Sequence, residues 1–188
     1  EHPMSTTVDT DLEKLKYPIG KFVRGTKAGT PARRAQCIAV IEAFPATLRS
    51  TVENLTDAQM DTPYRPGGWT VRQLVHHLAD SHAQTIIRFK LALTEEQPTI
   101  KPYKEALWAD HIDARTMPLD PSLAIITGVH ARWVVLMRAI QDDEWDRAFV
   151  HPEQNRAITL AEALELYVWH SRHHLAHLTG LKQRAAWS

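Results

Sequence analysis

Apolar residues recur at spacings of three and four along four long segments of the chain, whereas the strict alternation of a half-buried strand is almost absent. The first predicted helix has Thr30 as its N-cap and runs to about Leu55. The second opens with Thr70 and Gln73, which are spaced as a capping box, and runs to about Thr94. This periodicity indicates an all-α protein.

The other two predicted helices lie in the C-terminal half. The third begins at Asp120, has a proline in its first turn, and continues through SLAIITGVHARWVVLMRAI. The fourth opens with Thr159 and Glu162, spaced as a second capping box, and runs to about Ala185.

The connection between the second and third helices, about residues 95–119, is unusually long and contains several prolines. Such a connection can help to form a site or cover one end of the fold. Four long helices with one long crossover connection predict a four-helix bundle. We expect residues 1–188 to form this single domain, with residues 1–16 as a flexible N-terminal extension.

Composition excludes several classes of protein. Hydrophobic residues make up 44% and charged residues 23%, as in soluble globular proteins. The 22 basic and 22 acidic residues balance, so we expect no binding to nucleic acid or to an anionic membrane. No apolar run approaches the roughly 18 residues of a membrane span. The first ten residues lack the pattern of a secretory signal, which favours a cytoplasmic location.

The single cysteine, Cys37, excludes an internal disulfide and fits a reducing cytoplasm. It lies within the amphipathic stretch RAQCIAVIEAF of the first predicted helix. We therefore interpret it as an inert, partly buried thiol, although a nucleophile is the functional alternative.

The fourth predicted helix carries four histidines within eight positions, in the stretch YVWHSRHHLAH. His170 and His174 lie in the middle of an apolar stripe, which predicts that both face the core. The stripe through His173 and His177 is mixed in character, so those two are the weaker candidates. Imidazoles four residues apart on a helix can bind one metal ion, but histidines satisfied by ordinary hydrogen bonds would give the same pattern.

A third ligand is expected from the second helix, in WTVRQLVHHLADSH. His77 shares a face with apolar residues, whereas His76 is predicted to meet solvent. His82 is also surrounded by apolar residues, but it lies about 140° from His77 around the helix, so one ion is not expected to take both. Periodicity favours His77 over His82, and leaves open whether His82 or His173 assists the site.

Three neutral imidazoles would leave coordination positions open, which is typical of catalytic zinc. A closed structural site rich in thiolates is excluded, because Cys37 is the only cysteine. Zinc is the default ion, although imidazole also suits nickel, iron and copper.

Several separated segments resemble the DinB/YfiT-like family of bacterial metal-binding four-helix bundles, and most of all its YfiT branch of metal-dependent hydrolases. These segments agree with the family in order and spacing from residue 17 onward: YPIGKF, DTPYRPGGWTVRQLVHHLADSH, IRFKLALTEEQPTIKPY and ALELYVWHSRHHLAHLTGL. The resemblance implies an up-down-down-up bundle, a homodimer, and one divalent ion per chain, zinc or nickel. Its ligands would be His77, from HHLAD, with His170 and His174, from HSRHH.

We therefore expect a hydrolase that acts on a small-molecule substrate with a metal-activated water. Two alternatives stay open: a metal-dependent transferase of a low-molecular-weight thiol, similar to bacillithiol transferases, and a non-catalytic metal-binding or sensing bundle. No general base can be assigned. Asp80, three residues after His77, is either a carboxylate that orients a metal ligand by a hydrogen bond or a solvated helix carboxylate.

Overall fold

The computed structural model describes the backbone of residues 5–187 and the side chains of residues 11–187. Four long helices form a bundle, as the hydrophobic pattern predicts, and their ends agree with the predicted ones to within about three residues. The helices are α1 (Ser5–Lys16), α2 (Pro31–Val52), α3 (Asp57–Met60), α4 (Val71–Thr94), α5 (Glu105–Ala109), α6 (Ile112–Thr116), α7 (Asp120–Ala139) and α8 (Leu160–Arg184). Two short strands, β1 (Ala148–His151) and β2 (Arg156–Thr159), precede α8.

Local hydrogen bonds of the N-cap residues mark the starts of α4 and α8. Thr70 and Gln73 form the complete capping box at the start of α4, each side chain bonding the backbone N–H of the other. At α8 only half of the predicted box is present. Thr159 accepts a hydrogen bond from the Glu162 N–H, but the Glu162 carboxylate turns away to accept two bonds from Arg156.

The core consists of two apolar clusters at opposite ends of the bundle. The cluster around Trp133 takes residues from the start of α2 and α8 and from the end of α4 and α7. The cluster around Leu78 takes the opposite halves of the same helices. The α2 and α8 helices thus run from the Trp133 cluster to the Leu78 cluster, and α4 and α7 run back. This is the up-down-down-up topology.

The four helices are not equally close to one another. The α4 helix packs along α7, α7 along α2, and α2 along α8, whereas α4 and α8 approach each other over a shorter stretch. The side of the bundle between α4 and α8 therefore has room for a cavity.

The connections close one side of this space. The long crossover contains α5 and α6, which pack on α4. The β1 and β2 strands form an antiparallel hairpin, with Phe149 and Ile158 buried, and Ile100 of the crossover donates a backbone hydrogen bond to Val150. The sequence did not predict this hairpin, because two strands of four residues are too short to give a clear alternation.

The N-terminal residues were expected to form a flexible extension, and the sequence did not predict α1. The segment that follows α1 contacts α8, since the Trp169 indole N–H donates to the Gly20 carbonyl at 3.0 Å. Residues 1–4, also part of that prediction, lie outside the described residues. Among the helices of residues 5–187, none is long and apolar enough to cross a membrane.

Candidate metal centre

A cavity of about 820 Å³ lies between α4 and α8, in the stretch of the bundle between the two apolar clusters. Its walls come from both helices, from the loop before α4, from the crossover and from the β-hairpin. His77, His170 and His174 all line it. We call it the histidine cavity.

The structure brings the three predicted ligands together. One nitrogen from each of His77, His170 and His174 lies within 4.8 Å of the others. The ring centroids of His170 and His174, which are one turn apart on α8, lie 4.5 Å apart. The centroid of His77 on α4 lies 5.5 Å from that of His170 and 5.2 Å from that of His174. Two helices therefore present three imidazoles to one small volume.

Burial keeps these imidazoles neutral. It lowers the pKa of His77 to about 4, and it lowers the pKa values of His170 and His174 well below the ordinary 6.5, with the neighbouring imidazoles adding to the effect. Neutral imidazole is the form that binds a metal ion, so the three rings are in the protonation state that a ligand needs at pH 7.

The donor set fits a divalent transition-metal ion. His77 Nδ1 is buried and has no hydrogen-bond partner among the described residues, which is uncommon for a polar atom inside a protein. Among the residues whose side chains are described, the group of His77, His170 and His174 consists of three imidazole nitrogens without a thiolate or carboxylate. Such a donor set matches an open catalytic zinc site, and imidazole equally suits nickel. The residues present therefore fit the metal that the sequence predicted.

A second, overlapping trio consists of His173, His174 and His177. The sequence treated His173 and His177 as the weaker face, yet both are buried, because other segments cover that side of α8. Tyr64 stacks on His177 with ring centroids 4.1 Å apart, and Tyr17 lies 6.0 Å from His173. His177 donates to the backbone carbonyl of Lys16 and does not line the histidine cavity. The trio on His77 is thus the one that faces the cavity as a whole.

His82, about 140° from His77 around α4, is not among the residues that line the cavity. It lies fully buried behind His170 and bonds to that residue at 3.2 Å between His82 Nε2 and His170 Nδ1. Its Nδ1 lies 2.6 Å from Nε2 of His130 on α7. His82 therefore contacts the candidate ligand His170 from outside the cavity.

His130 was not singled out from the sequence, although a signal existed. It continues an apolar stripe on α7 through Leu123, Ile126, Trp133 and Met137, with steps of three and four. A histidine inside such a stripe must find a buried partner. His130 finds two, the imidazole of His82 and a backbone carbonyl of α2.

The structure corrects the prediction for His76 on α4 and gives the surroundings of Asp80 on the same helix. His76 was predicted to meet solvent, but it is buried, and its ring nitrogens bond Ser122 Oγ at 2.7 Å and the Met117 carbonyl at 3.2 Å, because the crossover and α7 cover this face. Asp80 is half-buried, and burial raises its pKa. Within the described residues Asp80 makes no hydrogen bond to a histidine, and its role as a group that orients a ligand stays a prediction.

Aromatic and polar side chains form the rest of the cavity wall. The Trp69 ring lies 4.7 Å from His77, and Trp169 stacks on His173 at 4.4 Å. Tyr103 also lines the cavity, and burial raises the pKa of its hydroxyl, which stays protonated and can donate a hydrogen bond. Side chains of both charges complete the lining: Lys16, Arg65, Arg88, Glu105 and Glu153.

Cys37 is fully buried in the Trp133 cluster, away from the histidine cavity. Burial raises the pKa of its thiol to about 11, so little thiolate forms at neutral pH. The interpretation of Cys37 as an inert thiol agrees with this environment.

The structure is thus an up-down-down-up helical bundle in which three neutral histidines, a group able to hold a metal ion, face one cavity. A family model described as the DinB superfamily matches residues 40–178. The chain belongs to this superfamily, and its segments place it with the YfiT-like members.

Individual relatives agree with that assignment. "Putative metal-dependent hydrolase YfiT" from Bacillus subtilis (strain 168) is 49% identical over 174 residues, 93% of this chain and 97% of that protein. A relative from Bacillus mycoides (strain KBAB4), also named a metal-dependent hydrolase, is 46% identical over 178 residues, 94% of this chain and all of that protein. The solved structure of Bacillus subtilis YfiT, described as a probable metal-dependent hydrolase with an unusual four-helix bundle topology, matches with a TM-score of 0.89 and covers 93% of this chain and 99% of that chain.

Proposed function

We propose that this protein is a metal-dependent hydrolase that holds one divalent ion, zinc or nickel, on His77, His170 and His174. The observation that carries the proposal is the convergence of these three imidazoles, from two helices, on the wall of one cavity. The relatives named as metal-dependent hydrolases support the choice of reaction.

When bound, such an ion supplies Lewis acidity toward a substrate carbonyl or a similar group and lowers the pKa of a bound water toward about 7. The chain supplies the rest of the site. His77, His170 and His174 are held neutral by burial, and Tyr103 keeps a hydroxyl that can donate to a substrate oxygen. Trp69 shields His77 from solvent on the side of the loop before α4.

The substrate is a small molecule with polar groups. The cavity has room for one, at about 820 Å³, and its lining mixes aromatic rings with charged groups of both signs. Lys16 and Arg88 face the same volume as Glu105 and Glu153. A wholly apolar substrate would leave these charges without partners.

The first test is the metal content per chain, measured by elemental analysis on the purified protein. We expect about one divalent ion per chain in the wild type, and its loss in His77→Ala, His170→Ala and His174→Ala. The control His173→Ala separates the two overlapping trios, because it removes a ligand from the second trio alone. Metal that disappears in His173→Ala but survives in His77→Ala would refute the assignment.

A second test separates hydrolysis from thiol transfer, since both reactions can use the same open site. The zinc- or nickel-loaded protein is assayed with ester and amide substrates, and in parallel with a low-molecular-weight thiol and an electrophilic acceptor. Turnover of the esters or amides, lost in His174→Ala, supports the hydrolase. Turnover that appears only with the thiol pair would replace hydrolysis by group transfer, and metal binding without turnover in either assay would favour a sensing or structural bundle.

We also infer a homodimer that works in the cytoplasm. The outer face of α7 supports the dimer, since Ile125 and Val135 leave 47% and 69% of their surface exposed on the same helix. The lone, buried Cys37 thiol is compatible with a reducing compartment. Light scattering on the eluting protein should give twice the chain mass of 21.4 kDa, and Val135→Glu should shift it toward the monomer.

A further inference from the structure

A continuous chain of hydrogen bonds leads from the histidine cavity into the core. His170 Nδ1 lies 3.2 Å from His82 Nε2, His82 Nδ1 lies 2.6 Å from His130 Nε2, and His130 Nδ1 lies 2.6 Å from the backbone carbonyl of Ile41. His82 and His130 are both at most 1% exposed. This chain of hydrogen bonds crosses the bundle from α8 through α4 and α7 to α2.

The Ile41 carbonyl at the end of these hydrogen bonds determines which nitrogen of each histidine ring carries hydrogen. A carbonyl oxygen only accepts, so His130 donates through Nδ1, and its Nε2, in a neutral ring, accepts. His82 therefore donates through Nδ1 and accepts through Nε2, which requires His170 to donate through Nδ1. The lone pair of His170 is then left on Nε2, the nitrogen that does not take part in the chain.

A shorter chain of hydrogen bonds reaches His174, the second candidate ligand on α8. His177 Nε2 lies 3.1 Å from the backbone carbonyl of Lys16, at the end of α1, and therefore donates to it. His177 Nδ1 accepts, and it lies 3.4 Å from Nδ1 of His174. His174 is thus also a donor through Nδ1, and its lone pair also lies on Nε2.

We propose that these two chains are positioning relays, in which His82 with His130, and His177, set the tautomers and ring orientations of His170 and His174 so that each presents Nε2 to the metal ion. The inference rests on the proposed function. Metal-bound histidines generally donate their other ring N–H to a carboxylate, a carbonyl or water, and such partners commonly change metal affinity by about 10–100-fold. Here neutral histidines backed by main-chain carbonyls take that place.

The tautomers can be observed directly in the metal-free wild-type protein, with no variant that might fail to fold. Two-bond ¹H–¹⁵N correlation spectra at neutral pH report which nitrogen of each imidazole carries hydrogen. We expect hydrogen on Nδ1 of His82, His130, His170 and His174, and on Nε2 of His177. Hydrogen on Nε2 of His170 or His174 would overturn the relays.

Variants then connect the tautomers to metal binding, with Zn²⁺ affinity measured by competition with a chromophoric chelator. His82→Leu should weaken Zn²⁺ binding by about 10–100-fold. His130→Leu should weaken it in the same direction and let His170 populate both tautomers, although His130 does not touch His170. His82→Gln keeps an acceptor for His170 and should recover most of the lost affinity. If His82 and His130 supported the site by packing alone, His130→Leu would not change the tautomer of His170 and His82→Gln would not recover Zn²⁺ affinity.

The matched control is His76→Leu, on the same helix and next to His77. His76 is as buried as His77, but its hydrogen bonds lead to Ser122 and Met117, away from the cavity. We expect its loss to lower stability and to leave Zn²⁺ affinity unchanged. If the wild type binds Zn²⁺ and the His82 and His130 variants bind it equally well, the relays are refuted while the metal site stands. If the wild type binds no metal ion, the proposed function fails and the relays fail with it.

Discussion

The histidine-rich middle of the bundle and the two apolar clusters that flank it are built from the same four helices but are held together differently. In the clusters, Trp133 and Leu78 are fully buried among other apolar side chains. In the middle, His82 and His130 are as deeply buried, yet they rely on specific nitrogen-to-acceptor distances. We call these hydrogen-bonded buried histidines the histidine layer. Apolar packing depends on how well side chains fill the available volume, whereas the histidine layer depends on the direction of each hydrogen bond.

The difference explains why the two regions should respond to different perturbations. Removing volume from a cluster leaves a cavity that lowers stability and does not change the chemistry of the site. Changing a partner in the histidine layer, or protonating it, removes an acceptor that the next ring needs. The predictions below separate these two responses.

The largest loss of stability is expected from Trp133→Ala, which empties the centre of the Trp133 cluster. Trp133 is 0% exposed, and truncation of such a side chain costs about 3–5 kcal/mol. Urea unfolding followed by circular dichroism measures the change. Trp108→Ala is the control, because Trp108 is 38% exposed on α5 and should cost much less. Similar losses of unfolding free energy in the two variants would contradict the prediction that burial in the Trp133 cluster stabilises the fold.

The next effect concerns acid. Burial lowers the pKa of His130 to about 4, and its ring contacts His82 from α4, Phe44 from α2 and Trp133 on its own helix. As the pH falls below about 6.5, the unfolded chain takes up the proton first. The stability that neutral His130 contributes is therefore complete above about pH 6.5 and is lost progressively down to about pH 4, by about 3 kcal/mol.

Urea unfolding of the chelator-treated protein at several pH values between 4 and 7.5 tests this. The wild type should lose more stability toward low pH than His130→Leu, in which that titrating group is gone. Parallel stability curves for the two proteins would show that His130 does not remain neutral when buried.

A somewhat smaller gain is expected from the metal. An ion that binds only the folded chain stabilises it by about 2.7 kcal/mol when its free concentration is 100 times Kd. Thermal unfolding with and without Zn²⁺ should therefore show a higher Tm with the ion, and His174→Ala should abolish the shift. A shift that survives in this variant would place the ion elsewhere on the protein.

The smallest loss of stability is expected from a substitution that keeps the side-chain volume nearly constant. Leu78→Met in the Leu78 cluster keeps the side-chain size nearly constant and should cost less than about 1.5 kcal/mol. It should also leave Zn²⁺ affinity unchanged. A strong loss of metal affinity in this variant would show that the apolar clusters and the histidine layer are more tightly coupled than their separate packing indicates.

Much of the bundle could be predicted from the sequence, because helix starts are local features. The Thr70 and Gln73 capping box and the apolar stripes of α4 and α8 lie within a few turns of chain. The β1 and β2 hairpin was missed, since its strands are short and their burial comes from contact with distant helices.

The candidate site divides in the same way. The four-residue spacing of His170 and His174 on an apolar stripe predicts that both face the core, and His77 shares a face with apolar residues on α4. In the structure these three imidazoles lie close together, and their role as metal ligands stays a prediction. The prediction that His76 meets solvent is wrong because the residues that cover it, Ser122 and Met117, are more than forty positions away in the sequence.

The sequence by itself determined the four helices, their approximate ends, and which histidines share a helix face, because each of these depends on residues within a few turns of one another. Only the tertiary structure decided that His82 meets His130, that both lead to the carbonyl of Ile41, and that His177 meets the carbonyl of Lys16. Those partners belong to other helices, and a backbone carbonyl offers the same acceptor whatever its side chain. No local pattern can therefore show which carbonyl ends a relay.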